Sequence, residues 1–184
     1  IDRAIPDYKA HLFDVPITGP VHKDHMHAAG FNFPCNQRFN ESCIGDGKKG
    51  LDILINDVMR VAFATGDIAL KDVPAAINKE SLIEKLALFY ATLHRDFTIE
   101  SPRIAVLALN PNDSDAHHGK EEQEAIIPAI NQLVEAGACV FGPYQSEAFF
   151  ANGDFTAFDG ILAMYHDQGA APLKAVNQIG RAHV

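Results

Sequence analysis

Basic residues and cysteine are both scarce in this chain. Its 184 residues hold 15 lysines and arginines against 24 aspartates and glutamates, a formal charge of −9, with an isoelectric point near 5.4. A nucleic-acid binder needs a basic face to replace counterions, so this balance argues against that partner. No apolar run approaches the roughly 18 residues of a membrane-spanning helix. No stretch reads as a charged-then-apolar leader with a cleavage site, though the chain begins at Ile1 and what precedes it is open. Cys35, Cys43 and Cys139 are an odd number at irregular spacing, with no C-x-x-C pair. That excludes a disulfide framework and fits reduced thiols in a cytoplasmic protein. Internal repeats and low-complexity segments are missing too.

What is present is an apolar chain, 47% hydrophobic, able to bury the core of one domain or of parts of two. Leu12 to Thr18 reads as a short strand ending at Gly19-Pro20. Leu51 to Asn56 and Met59 to Thr65 suggest a hairpin or two adjacent strands, with Gly66-Asp67 ending the second. Asp72 offers an N-cap and Pro74 suits a first helical turn. Leu82, Leu86, Phe89, Leu93 and Phe97 recur at helical spacing and predict an amphipathic helix over Lys79 to Phe97. Arg103 to Leu109 is continuously apolar after its first residue, as a parallel strand buried on both faces should be. A polar loop then leads to a helix over about Lys120 to Ala136, stopped by Gly137. Lys120, Glu121, Glu122 and Glu124 read as its outer face, and Met59 and Met164 as core. Val140 to Gly142, a short helix near Ser146 to Phe150, and Gly160 to Tyr165 complete the alternation. Strands alternating with helices mean an α/β fold with a largely parallel sheet and flanking helices.

The most informative stretch is 161–168, Ile-Leu-Ala-Met-Tyr-His-Asp-Gln. Here an apolar run ends and His166, Asp167 and Gln168 follow at once, with Gly169 read as opening a turn. Ligands of open α/β sheets bind just outside the carboxyl ends of the strands. Thr18-Gly19, Asp67 and Asn110 to Asp113 end other strands in the same way. From spacing alone, a shared site and ordinary polar loops both stay open. His22, His25 and His27 read as a solvated helix start, since a helix puts His25 and His27 on different faces. His117 and His118 read as exposed, although either could lend a nitrogen to a site nearby.

AMYHDQG with Lys174 five residues later, ITGPVHK (Ile17 to Lys23), LKDVPAAI (Leu70 to Ile77) and PRIAVLALNP (Pro102 to Pro111) together carry a specific likeness. GKEEQEAIIPAI (Gly119 to Ile130) and FGPY (Phe141 to Tyr144) extend it. The chain resembles the 4-hydroxythreonine-4-phosphate dehydrogenases of pyridoxal phosphate synthesis. The resemblance implies an isocitrate dehydrogenase-like two-domain fold, of which residues 1–176 would be the central part. It also implies a homodimer oxidising 4-phosphohydroxythreonine with NAD, after which the β-keto acid loses carbon dioxide. In the family a divalent metal, zinc, is held by three histidines drawn from both subunits, and a cation there stabilises alkoxide and enolate charge. By matching position His166 is a metal ligand and Lys174 binds the phosphorylated substrate.

Elsewhere the pattern changes. The family's Gly-His-Thr-Glu, which binds substrate, is Cys35-Asn36-Gln37-Arg38 here; its Thr-His is Gly66-Asp67; its Asn-Pro-His is Asn110-Pro111-Asn112. Asn36 and Gln37 thus stand at substrate-binding positions, and Asp67 and Asn112 at metal-binding ones. One imidazole with two oxygen donors moves the preference from zinc towards magnesium or manganese. The same changes leave a second reading, a catalytically inactive homologue that keeps the fold as a binding or scaffold protein. Ile179 to Val184 is what a common sequencing adaptor encodes in one frame (ATC GGA AGA GCA CAC GTC). Residues 177–184 are therefore expected to be read-through, and Arg181 and His183 receive no role.

Overall fold

Continuously apolar central strands build a sheet covered on both faces. In the computed structural model, residues 4–15, 17, 39, 42, 43, 50–66, 68–111 and 119–176 are described. The chain divides into two compact units, Ile1–Gly50 and Leu51–Val184. In the first, α1 (Ala4–Lys9) is a short helix without buried residues. The strand expected over Leu12 to Thr18 is not formed by its described residues, which are turn, bend or irregular. Leu12, Val15 and Ile17 are exposed. Asp14 favours a turn, and Pro16 lacks the N–H that a ladder needs.

The second unit carries a five-stranded sheet in the order β1-β2-β5-β3-β4. Its strands are β1 (Ile53–Ile55), β2 (Arg60–Phe63), β3 (Arg103–Leu107), β4 (Cys139–Tyr144) and β5 (Gly160–Ala163). β1 and β2 form the expected hairpin, antiparallel, with Ile53 opposite Ala62. The remaining pairings, β2 with β5, β5 with β3 and β3 with β4, are all parallel. Asn56 makes the hairpin turn: its Oδ1 accepts from Val58 N at 2.9 Å and Met59 N at 2.6 Å. No helix among the described residues is long and apolar enough to cross a membrane.

Three helical segments cover one face. A 3-10 turn (Leu70–Asp72) runs into α2 (Val73–Ala76), and α3 follows over Lys79–Arg95. The periodicity of α3 is realised: Leu82, Leu86, Phe89 and Leu93 are buried, packing with Ala62, Ile104, Val106 and Leu162 of the strands. Asp72 does not cap by its side chain. Its backbone is already helical (φ −97°, ψ −7°), whereas a capping side chain needs extended geometry to reach back to the first free N–H groups. Asn78 has that geometry and accepts from Ser81 N at 2.9 Å. Asn78→Ala should therefore lower stability by about 1 kcal/mol, read as a lower urea midpoint at unchanged slope; no shift would mean that the cap carries nothing.

The predicted helix over Lys120 to Ala136 is a π-helical turn (Glu122–Ile126) continuing into α4 (Ile127–Glu135). Gly137 ends it as expected, with Ala138 N donating to Leu133 O at 3.0 Å. Ala125, Ile126, Ala129 and Ile130 join the same buried cluster as α3. The opposite face is covered by α5 (Ser146–Ala151) and α6 (His166–Val176). Phe149, Ala170 and Leu173 pack there with Val61, Phe63, Ala105, Leu107 and Ile161. Met59 and Met164 are core, as expected.

Candidate active site

The order of strands and helices places a topological switch point at β5. The helices after β2 and β3 lie on one face of the sheet, those after β4 and β5 on the other. β5 sits between β2 and β3, so the chain leaving it turns away from the chains leaving both neighbours. Such a switch point is where open α/β sheets bind ligands, at the carboxyl ends of the strands. His166 stands there, the first residue of α6.

Gly169 does not open a turn but lies buried within α6. A Cβ on it would stand 2.5 Å from Val61 Cγ1 and 3.0 Å from Ala163 Cβ. Only glycine lets this helix lie so close on β2 and β5, and that approach seats its first residue at the strand ends.

The His166 ring stacks on Phe63, centroids 5.3 Å apart and planes 27° apart. Its Nδ1 is 2.9 Å from Asp167 Oδ1. A carboxylate there favours the proton on Nδ1, which leaves the Nε2 lone pair available to a metal or a substrate proton. The side chain is 53% exposed.

Gln168 has a structural task at the same edge. Its Oε1 accepts from Met164 N at 2.7 Å, and its Nε2 donates to Ala108 O at 2.6 Å and Ser146 Oγ at 2.7 Å. The ends of β2 and β5 are joined as well, since Thr65 donates to Met164 O from both N (3.1 Å) and Oγ1 (2.8 Å). Lys85 Nζ donates to Ala64 O beside them. These bonds fix the platform from which His166 projects.

Glu122 corrects the sequence reading. It is not on an outer face but 1% exposed. Its Oε1 accepts from Leu109 N and Asn110 N, both at 2.8 Å, and its Oε2 from Asn110 Nδ2 at 2.8 Å. The sequence did contain a signal: Glu122 precedes Ala125 and Ile126 by three and four residues, so it continues the buried stripe of the helix.

The other expected site residues divide in two. Lys174 is exposed in the last turn of α6, eight residues from His166 and so about 12 Å along the axis. Asn36, Gln37, Asp67 and Asn112 lie outside the described residues, as do Thr18, Gly19, His22, Lys23, His25, His27, His117 and His118. The residues leading into two of them are described: Gly66 follows β2 and Pro111 follows β3, the two neighbours of β5. Among the described residues, no group of three His, Cys, Asp or Glu side chains is placed to hold a metal.

Comparison with known proteins covers nearly the whole chain. The sequence model of the family described as pyridoxal phosphate biosynthetic protein PdxA matches residues 1–182. A 4-hydroxythreonine-4-phosphate dehydrogenase of Bacteroides thetaiotaomicron is 45% identical over 177 residues, 96% of this chain and 49% of its own. One from Xanthomonas axonopodis pv. citri is 38% identical over 160 residues, 86% of this chain and 49% of its own. The crystal structure of a 4-hydroxythreonine-4-phosphate dehydrogenase from Burkholderia phymatum aligns with a TM-score of 0.79 at 30% identity, covering 97% of this chain and 54% of that one. The chain therefore spans about half the length of the relatives it matches. With an α/β sheet of the same fold and the MYHDQG segment at its central strand end, the chain belongs to the pyridoxal phosphate biosynthetic protein PdxA family.

Proposed function

We propose that the protein containing this chain is an NAD-dependent oxidoreductase of pyridoxal phosphate synthesis. Its substrate is 4-phosphohydroxythreonine, or a similar phosphorylated hydroxy acid, which it oxidises and decarboxylates. The observation that carries this is His166, held by Asp167 at the end of the central parallel strand, in a chain of this family. Family resemblance adds that the working form is a cytoplasmic homodimer with its site built across both subunits.

The chemistry of the donors suits a divalent cation. His166 would offer Nε2, Asp67 a carboxylate and Asn112 an amide oxygen, a set that favours magnesium or manganese over zinc. When bound, the cation would stabilise negative charge on the substrate's reacting oxygen. Lys174 would hold the substrate as a cationic point charge, and Asn36 and Gln37 would offer amide hydrogen bonds in place of an imidazole and a hydroxyl. No described strand-to-helix turn carries a glycine-rich dinucleotide loop.

The substitutions at Asn36, Gln37, Asp67 and Asn112 favour one rival reading, an inactive homologue that binds without turnover. NADH formation from the phosphorylated substrate, assayed with the full-length protein and with zinc and magnesium separately, distinguishes the two. Turnover with magnesium is expected; none with either metal would leave the rival standing.

A further inference from the structure

The first turn of α6 lacks one main-chain bond that a helix normally makes. Pro172 lies inside the helix, four residues after Gln168, and has no N–H to give to the Gln168 carbonyl. The side chain of Gln168 ties the same turn down instead. Its Oε1 accepts from Met164 N at 2.7 Å, just past β5. Its Nε2 donates to Ala108 O at 2.6 Å, just past β3, and to the Oγ of Ser146, the first residue of α5, at 2.7 Å. One side chain thus joins α6 to the chain leaving β5, the chain leaving β3 and the start of α5.

Few side chains can do this. Met164 N only donates and Ala108 O only accepts, so their common partner must offer an acceptor and a donor at once. A carboxamide does; an ionised glutamate is acceptor-only, and an apolar side chain offers neither. The other side of the turn is packed. A Cβ on Gly169 would stand 3.1 Å from Phe63 Cε1, and the same Phe63 ring carries the His166 imidazole, centroids 5.3 Å apart. The turn is therefore held by hydrogen bonds at Gln168 and by the Phe63 ring at Gly169 and His166. Releasing the bonds lets the imidazole slide on that ring.

We propose that Gln168 is a positioning residue for His166. It holds the first turn of α6 in the setting that keeps the imidazole stacked on Phe63 at the strand ends. The bonds stand by themselves; that this setting matters to the reaction rests on the reading of the preceding section.

Two substitutions in the full-length protein test this. Gln168→Glu keeps the size but sets a carboxylate oxygen against Ala108 O, acceptor against acceptor. Gln168→Met keeps the length and makes none of the three bonds. NMR spectra of histidine-labelled protein are recorded at one pH without substrate or metal, and the His166 ring signals are identified by their absence from His166→Ala. They should move or split in both variants as the ring leaves Phe63, while those of His94, on α3, stay. With the phosphorylated substrate, kcat should fall about 100-fold, the cost of a small misplacement at a reacting centre, with KM little changed.

Unchanged His166 signals would overturn the proposal, and so would signals that move while kcat stays as in the parent. Equal changes at His94 would overturn it too, since the amide would then serve the whole fold. Should Gln168→Glu not fold, Gln168→Met decides alone. A parent protein without turnover would count against the reading of the preceding section, and the ring signals would then decide Gln168 separately.

Discussion

If His166 holds the proposed cation, replacing it by alanine is expected to lower kcat/KM for the proposed phosphorylated substrate at least about a thousandfold, several kcal/mol of charge stabilisation being lost with the ligand. Stability should hardly move. The side chain is 53% exposed and its packing is one stacked contact with Phe63, so the urea midpoint should shift by no more than about 0.5 kcal/mol equivalent. Asp167→Ala should give a milder version, roughly 10- to 100-fold, because it frees the imidazole to turn and change tautomer without removing it. Steady-state kinetics beside urea denaturation reads both effects. Full activity in His166→Ala would remove the imidazole from the chemistry, and a large fall in stability would make it a structural residue.

The largest effect on stability is expected at Phe89. It is fully buried on the inner face of α3, and the helix lies so near β5 that a Cβ on Gly160 would stand 2.6 Å from Phe89 Cζ. Leu93 is as close, its Cδ1 2.7 Å from that same position. A ring wedged against backbone on one side and against other core side chains on the rest leaves a cavity that its neighbours cannot fill. Phe89→Ala should therefore cost about 3–5 kcal/mol, measured as a lower urea midpoint with the slope retained. A loss below about 1 kcal/mol would mean that α3 closes down on the sheet, and the packing described here would be wrong.

These two residues differ in how they could be read from sequence. Phe89 belongs to a stripe at steps of three and four, and burial on a sheet follows from that stripe directly. The parallel strands were legible for a related reason. With helices on both faces, successive residues such as Val61 and Ala62 are both buried, so the run is continuously apolar. The position of His166 just beyond a strand was legible because an apolar run stopped at Tyr165.

Glu122 was harder, since it stands among Lys120, Glu121, Gln123 and Glu124, and composition there says solvent. Only its phase with Ala125 and Ile126 marks it as buried, and its partners, Leu109 and Asn110, are main-chain groups that sequence does not display. Gln168 is similar: nothing local announces that its amide reaches Ala108, sixty residues away. The apolar run from Leu12 forms no strand among its described residues, where Asp14 favours a turn and Pro16 offers no N–H to a ladder.

The proposal that most needs testing is that Asp67 and Asn112 join His166 as donors to one oxygen-rich cation site. Zinc titration by calorimetry, comparing the parent with the double substitution Asp67→His and Asn112→His, addresses it directly. Two imidazoles replacing oxygen donors or water should raise zinc affinity well over tenfold, about 1.4 kcal/mol or more. Activity need not rise with it, because Asn36 and Gln37 are unaltered. Equal zinc affinity in parent and double variant would mean that these three positions do not meet, and the proposed metal site would have to be abandoned.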